Sequence, residues 1–322
     1  MPATFIKGPE WSLLTPLEWA ASGFEIRLVP GRERRTDSEI EELIERNWEK
    51  RQAERMSKGT FVEEAWPKTG YGGHQLDLAG KVIEISIRPA DWKAMQGTNY
   101  NPDFYSLMLS RFNKLSRNKL SLPGAHIDSL FQGFILEYLD GAMSQCSAIY
   151  TGSGFPVGFR SDEVGLANGV WHVPGGYLPG ISQGIYKSEV PVVDGRPIVS
   201  KMTFTPDAES LKANALVNLY KESGRMLMPS NAEISYTGII YELPFHGVQF
   251  VSVVETGLKS FGMNWEHDKM MHCKPEDVPA LLNRPDMIAG SMLRGGQACL
   301  AVAYLREKGF ERTREFTFLS QG

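Results

Sequence analysis

Cysteine is scarce in this chain of 322 residues: Cys146, Cys273 and Cys299 stand far apart, with no Cys-x-x-Cys pair. That spacing suggests neither a disulfide framework nor a zinc knuckle, and a reducing cytoplasm is the expected home. Long apolar runs are missing too. Nowhere do roughly 18 apolar residues follow one another, and the segment Met1 to Lys7 holds no stretch of signal-peptide length, so neither a membrane span nor a secretory leader is expected. Positive charge is not in excess. A net charge of −4 gives no global attraction to nucleic acid or to an anionic membrane, so any phosphate site has to be local. There is no internal repeat and no low-complexity tract. A nucleophile elbow, a P-loop and a Gly-x-Gly-x-x-Gly dinucleotide turn are likewise absent.

What is there is ordinary globular composition, 42% hydrophobic and 22% charged, enough to build a real core. The length suits two domains, or one with a large extension. The chain divides near Asn118 to His126, which sets an N-terminal extension over 1–125 and a second domain over 126–322. In the first part, Thr36-Asp37-Ser38-Glu39 opens a charged helix running to Met56, with the look of a capping start. A strand is expected over Lys81 to Arg88, followed by the polar-aromatic segment Trp92 to Tyr100. Further along, Glu233 to Leu243 and Val248 to Glu255 read as strands. Lys269 begins another strand, which passes into a helix start at Pro275-Glu276-Asp277-Val278-Pro279-Ala280-Leu281-Leu282. A long helix over Asp286 to Lys308, interrupted at Gly295-Gly296, is expected to pack on the sheet.

The richest stretch runs from Arg160 to Arg225. It holds Val157-Gly158-Phe159-Arg160-Ser161, then Trp171-His172-Val173-Pro174-Gly175-Gly176, and then Ala208-Glu209-Ser210-Leu211 through Leu219-Tyr220-Lys221-Glu222-Ser223-Gly224-Arg225. Pro174 fixes a strand exit, and the two glycines allow backbone geometry closed to other residues. Leu211, Ala215 and Leu219 recur at helical spacing and mark a core-facing stripe. Asn218, Lys221 and Glu222 share another face of that helix.

This stretch resembles a Nudix box, whose pattern is G-x5-E-x7-R-E-U-x-E-E-x-G-U, with U a bulky aliphatic. Glu209, Glu222 and Gly224 fit. The Arg of the pattern falls on Val217, two of its Glu on Asn218 and Lys221, and the closing aliphatic on Arg225. In the family the helix glutamates hold Mg²⁺ or Mn²⁺, since hard cations take several oxygen ligands. The resemblance therefore implies Glu222 as a residual metal ligand, Glu209 as a helper ligand and Lys221 as a contact to phosphate. Any such ion is expected to bind weakly, and no organic cofactor is implied.

A second resemblance is independent of the box. Ile44-Glu45-Arg46-Asn47-Trp48-Glu49-Lys50-Arg51 and Gly97-Thr98-Asn99-Tyr100 are similar to the N-terminal region of the Nudix-type diphosphatases of UDP-glucose and UDP-galactose. It implies Arg88, Gly97, Thr98 and Asn99 beside a nucleotide, with Arg160, Gly175 and Gly176 completing the substrate contacts. By turn chemistry alone, Gly97 to Tyr100 equally reads as a capped turn. The insertion from Tyr177 to Thr205 carries Glu189 and Asp194, which can replace missing ligands, and a hairpin turn at Val193-Asp194-Gly195-Arg196-Pro197. Glu266, His267 and Asp268 lie where some Nudix enzymes carry a general base. His267-Asp268 with His272-Cys273 does not have the spacing of a zinc site.

The expected fold is α/β: a Nudix α/β/α sandwich with a mixed sheet, preceded by an α+β extension. Three functions stay open. The first is hydrolysis of a nucleoside diphosphate linked to another moiety, at a weakened or modified metal site. The second is a module that has lost catalysis and senses a nucleotide-derived ligand. The third is a metal-independent enzyme of specialised metabolism that reuses the pocket. The expected partner is a small nucleotide derivative rather than nucleic acid or membrane, and the leaving group and oligomeric state stay open.

Overall fold

The stretch GVQFVSVVET at Gly247–Thr256 is apolar on both faces and buried along most of its length. A strand of that kind has to be covered on both sides. The computed structural model describes residues 3–59, 63–117, 124–141, 143–161, 169–178, 192–193, 196–197, 208–223, 227, 231–243, 246–262 and 267–321. In chain order its strands are β1 (Ile6–Gly8), β2 (Trp11–Leu13), β3 (Glu25–Pro30), β4 (Pro67–Asp77), β5 (Val82–Asp91), β6 (Met143–Tyr150), β7 (Phe155–Arg160), β8 (Trp171–His172), β9 (Gly175–Tyr177), β10 (Val192–Val193), β11 (Arg196–Pro197), β12 (Ala232–Glu242), β13 (Gly247–Thr256), β14 (His267–Cys273) and β15 (Ser320–Gln321). The helices are α1 (Trp19–Ser22), α2 (Ser38–Ser57), α3 (Trp92–Gly97), α4 (Pro102–Arg117), α5 (Gly124–Leu136), α6 (Ala208–Glu222), α7 (Val278–Leu282) and α8 (Arg294–Lys308).

β13 lies inside the largest described sheet, seven strands in the order β15-β1-β2-β12-β13-β6-β9. It runs antiparallel to β12 and parallel to β6, so the sheet is mixed. Alternation along the strand sorts its side chains. Val251 and Val253 point to one face, with Ala148 of β6, and meet Ala298 to Leu305 of α8. Phe250 and Val254 point to the other and meet Leu211, Ala215 and Leu219 of α6. The sheet is thus sandwiched between two helices, the α/β/α arrangement expected. Helix α6 buries the predicted stripe of Leu211, Ala215 and Leu219.

Elements from both sides of residue 125 share one sheet and one apolar cluster. Strands β1 and β2 extend the large sheet, with Leu13 opposite Ile240 of β12, and β15 closes the same edge opposite Ile6. The separate sheet β3-β5-β4 shares one apolar cluster with Phe250 and Leu211 through Ile26, Leu28, Ile83 and Ile85. Apolar faces that small bury fully only against a neighbour, and these two sheets use each other.

Local expectations hold in most places. Asp37 caps α2 by accepting the Ile40 N–H at 3.1 Å, and β10 pairs antiparallel with β11 across Asp194-Gly195, two residues outside the described set. β12, β13 and β14 follow the predicted order, with α7 after β14. The long helix from Asp286 is corrected: its break falls at Gly290, with φ 120°, and at extended Met292, whereas Gly295 and Gly296 sit inside the first turn of α8. Gly295 is there because a Cβ would stand 1.7 Å from the Gln249 Oε1.

The residues expected beside a nucleotide in the N-terminal part have partners within the fold. Arg88 is 4% exposed, and its Nη2 donates to the carbonyls of Leu136, at 2.9 Å, and Leu139. The Thr98 hydroxyl donates to the Ala94 carbonyl at 2.8 Å, and Asn99 Oδ1 accepts the Gly141 N–H at 3.3 Å. Gly97 lets α3 approach α2, since a Cβ there would lie 2.6 Å from Ile44 Cγ1 and 2.7 Å from its Cα. These groups brace the fold. Gly97→Ala is expected to lower the unfolding free energy by about 1–3 kcal/mol through overpacking, measured by denaturant titration; an unchanged midpoint would contradict this packing role.

Candidate functional site

Glu222 is the last residue of α6 and is 4% exposed. A carboxylate taken out of water needs partners, and here the Gly175 N–H donates to it at 3.1 Å and 3.2 Å from its two oxygens. Gly175 is forced by its neighbours: a Cβ would stand 2.2 Å from the Gln145 carbonyl oxygen. Next to it, the missing side chain of Gly176 admits the Asn218 amide, whose Nδ2 lies 2.9 Å from the position a Cβ would take. The glycine turn therefore meets the C-terminal half of α6, where the hydrogen bond to Glu222 fixes it.

Two imidazoles converge on the same spot. β7 pairs with β8 on one side and β14 on the other, with Gly158 opposite His172 and Arg160 opposite His267. The histidines, 4% and 6% exposed, place their Nε2 atoms 2.8 Å apart with ring planes within 11°. Gly158 makes the slot, for a Cβ there would lie 2.1 Å from His267 Cδ2. Burial holds the His172 imidazole well below its usual pKa and pushes His267 down to about 4, and the Arg160 guanidinium beside both adds to each shift. At neutral pH both rings are uncharged, so one donates its N–H and the other accepts. Ligand atoms of His172, His267 and Glu222 all lie within 4.8 Å of one another.

His172 also belongs to the wall of a cavity of about 440 Å³, shared with Tyr100, Gln145, Cys146, Arg160, Tyr177, Glu242, Gln249 and Arg294. Arg160 Nε is buried there with no hydrogen-bond partner among the described residues, and so is Gln145 Oε1. Arg294 is held by Glu10 at 2.7 Å and by the Ile288 carbonyl at 2.9 Å. The Tyr100 and Tyr177 hydroxyls share a hydrogen bond, and the Trp92 ring lies against both tyrosines. Burial drives the Cys146 thiol well above its usual pKa, and its Sγ donates to Gln249 Oε1 at 2.9 Å, so it is no nucleophile. Glu242 is the unusual acid. Burial pushes it up to about 7, although the Gly295 N–H at 2.8 Å and the charge of Arg294 both favour its ionised form.

Of the residues expected from sequence, Arg160, Gly175 and Gly176 line this cavity, whereas Arg88, Gly97, Thr98 and Asn99 do not. Tyr100, next to them, does. Glu209 and Lys221 lie on α6, and only their backbone is described. Glu189, Asp194 and Glu266 fall outside the described residues. His272 accepts the Phe261 N–H and does not join the imidazole pair. His172, Glu242, Gln249 and Arg294 escape sequence reasoning. Gly158, between a proline-valine pair and an aromatic in a buried strand, is the one local sign that a side chain from elsewhere needs room.

No protein-family model matches the chain, and no curated protein matches it. Among solved structures, a MutT protein from Methanosarcina mazei Go1 aligns over 52% of this chain and 94% of its own, at 14% identity and a TM-score of 0.31. A bifunctional NMN adenylyltransferase/ADP ribose pyrophosphatase from Francisella tularensis aligns over 63% of this chain and 46% of its own, at 10% identity and a TM-score of 0.29. A structure of that bifunctional protein complexed with AMP and Mn ion gives 64%, 48%, 10% and 0.29 for the same measures. The chain spans less than half the length of the Francisella protein.

The raised pKa of Glu242 has a stability consequence. The folded state holds the proton more tightly than the unfolded state, so the group's contribution is complete below its unfolded pKa near 4.5 and is lost as pH rises to about 7. Glu242→Gln removes that loss. Relative to the wild type, the variant is expected to gain about 3 kcal/mol in unfolding free energy between those two pH values, followed by urea titration; a pH-independent difference would contradict the burial argument.

Proposed function

We propose that this chain is a Nudix-type protein that binds a nucleoside diphosphate linked to another moiety in the cavity and hydrolyses the diphosphate bond. The observation that carries the reading is the meeting of Glu222 with Gly175 beside a cavity lined by half-buried Arg160, whose Nε is buried with no hydrogen-bond partner among the described residues. A guanidinium in such a place pairs well with a diphosphate, whose oxygens it can bridge. The faces of Tyr100 and Tyr177 offer apolar area for a base or sugar. Net attraction for the anion is local, as an overall charge of −4 requires.

The family's Mg²⁺ does not fit the described residues. It needs oxygen ligands in an octahedral shell, and Asn218 stands where the box carries a glutamate, while the donors grouped with Glu222 are imidazole nitrogens. The chain's own groups can still carry the proton chemistry. With a pKa of about 7, Glu242 is ionised in part at neutral pH and is a base of suitable strength. A water oxygen bonds to phosphorus, its proton passes to Glu242, and the bridging P–O bond breaks to release a phosphate anion. Arg160 balances the charge that develops on the phosphoryl oxygens.

A second reading is favoured by the replacements at Asn218 and Lys221: the cavity binds the same ligand and senses it without turnover. Phosphorus NMR on ADP-ribose, UDP-glucose and NADH, together with calorimetric binding, separates the two. The hydrolase reading expects products from at least one of them, with Arg160→Ala lowering kcat/KM about 10–100-fold. Glu242→Gln should lower kcat by about 100-fold or more and abolish the rise in rate through pH 7. Binding without products supports the sensing reading. Neither binding nor products contradicts both.

A further inference from the structure

Three donors of a particular kind stand together here: imidazole nitrogens from β8 and β14 and a carboxylate from the end of α6. We infer that His172, His267 and Glu222 form a binding site for a divalent transition metal of the zinc class, distinct in chemistry from the all-oxygen Mg²⁺ site of a Nudix box. The inference stands on these three side chains and does not depend on the diphosphate reading.

Donor type comes first. Two neutral imidazoles and one carboxylate form a set that suits Zn²⁺, Co²⁺ or Fe²⁺, while Mg²⁺ prefers oxygen throughout. Distance agrees. With metal–nitrogen bonds of about 2.0–2.1 Å, two imidazoles on one ion sit about 3 Å apart. The Nε2 atoms lie 2.8 Å apart, so a slight opening of the pair admits an ion. Both rings are buried, and a histidine has to be neutral to ligate.

The supporting groups are those that ligands need. Glu222 is fixed by the Gly175 N–H, so one of the three donors is oriented before any ion arrives. Gly158 leaves the space in which the rings meet. Arg160 is the opposing term, since its charge lies near both histidines. The single carboxylate offsets that charge, which points to moderate affinity. Three protein ligands, one of them on the cavity wall, match the open arrangement of catalytic zinc sites rather than the closed four-ligand structural kind.

Co²⁺ is the probe, because its visible d–d absorption reports coordination and its paramagnetism marks the ligands. Titration of metal-free wild-type protein is expected to give a visible band that saturates at one equivalent per chain, and proton NMR to show hyperfine-shifted imidazole N–H signals. A large excess of Mg²⁺ should leave the band in place, and one equivalent of Zn²⁺ should remove it. His172→Gln, His267→Gln and Glu222→Gln should each weaken Co²⁺ about 100-fold or more, whereas His272→Gln should not. The wild-type NMR signals decide the matter even where a variant fails to fold. Absence of the band, a band unchanged in folded His172→Gln, displacement by Mg²⁺, or a thiolate charge-transfer band reporting Cys146 would each overturn the assignment.

Discussion

A buried carboxylate that accepts a backbone N–H organises the site. Gly175 donates to Glu222 inside the protein, and it can do so only because no side chain keeps the turn away from Gln145. That contact fixes the end of α6 against the edge strand β9, and β9 in turn holds the cavity wall between Cys146 and Tyr177. On the opposite face of the sheet α8 presents its first turn, where Gly295 donates to Glu242. Helix α6 thus delivers Glu222 at its C-terminal end, and strand β12 delivers Glu242 against the N-terminal end of α8.

The two acids differ in what their surroundings do to them. Glu242 faces a helix N-terminus and an arginine, both of which favour charge, yet burial outweighs them and leaves its pKa near neutrality. The histidines beside Glu222 are kept uncharged by burial and by Arg160. The site thus combines a base near pH 7, a guanidinium nitrogen with no partner among the described residues and two neutral imidazoles.

Much of the frame was legible in the sequence because it rests on local rules. The period of Leu211, Ala215 and Leu219 fixes α6, the alternation and apolar runs fix β12 and β13, and Asp37 marks a helix start. The cavity was legible only where backbone geometry demanded a residue type, at Gly175 and Gly176, or where a strand end carried a charge, at Arg160. Arg88 and Thr98-Asn99 lie outside the cavity lining, since polar groups at turns and strand ends satisfy backbone partners as readily as ligands, and here they do. His172 and His267 are 95 residues apart in sequence and meet only through the pairing of β8, β7 and β14. No periodicity within either strand encodes that meeting. Glu242 likewise becomes unusual only once α8 covers it.

The central claim is that the cavity lined by Arg160, His172 and Glu242 receives a diphosphate next to a metal held by imidazoles. Anomalous diffraction from crystals soaked with Zn²⁺ and a non-hydrolysable methylene analogue of ADP-ribose tests both halves together. The account predicts a zinc peak bounded by His172, His267 and Glu222, with a phosphonate oxygen within hydrogen-bonding distance of Arg160. A zinc peak on other side chains, or an analogue seated outside the cavity with Arg160 untouched, would contradict it.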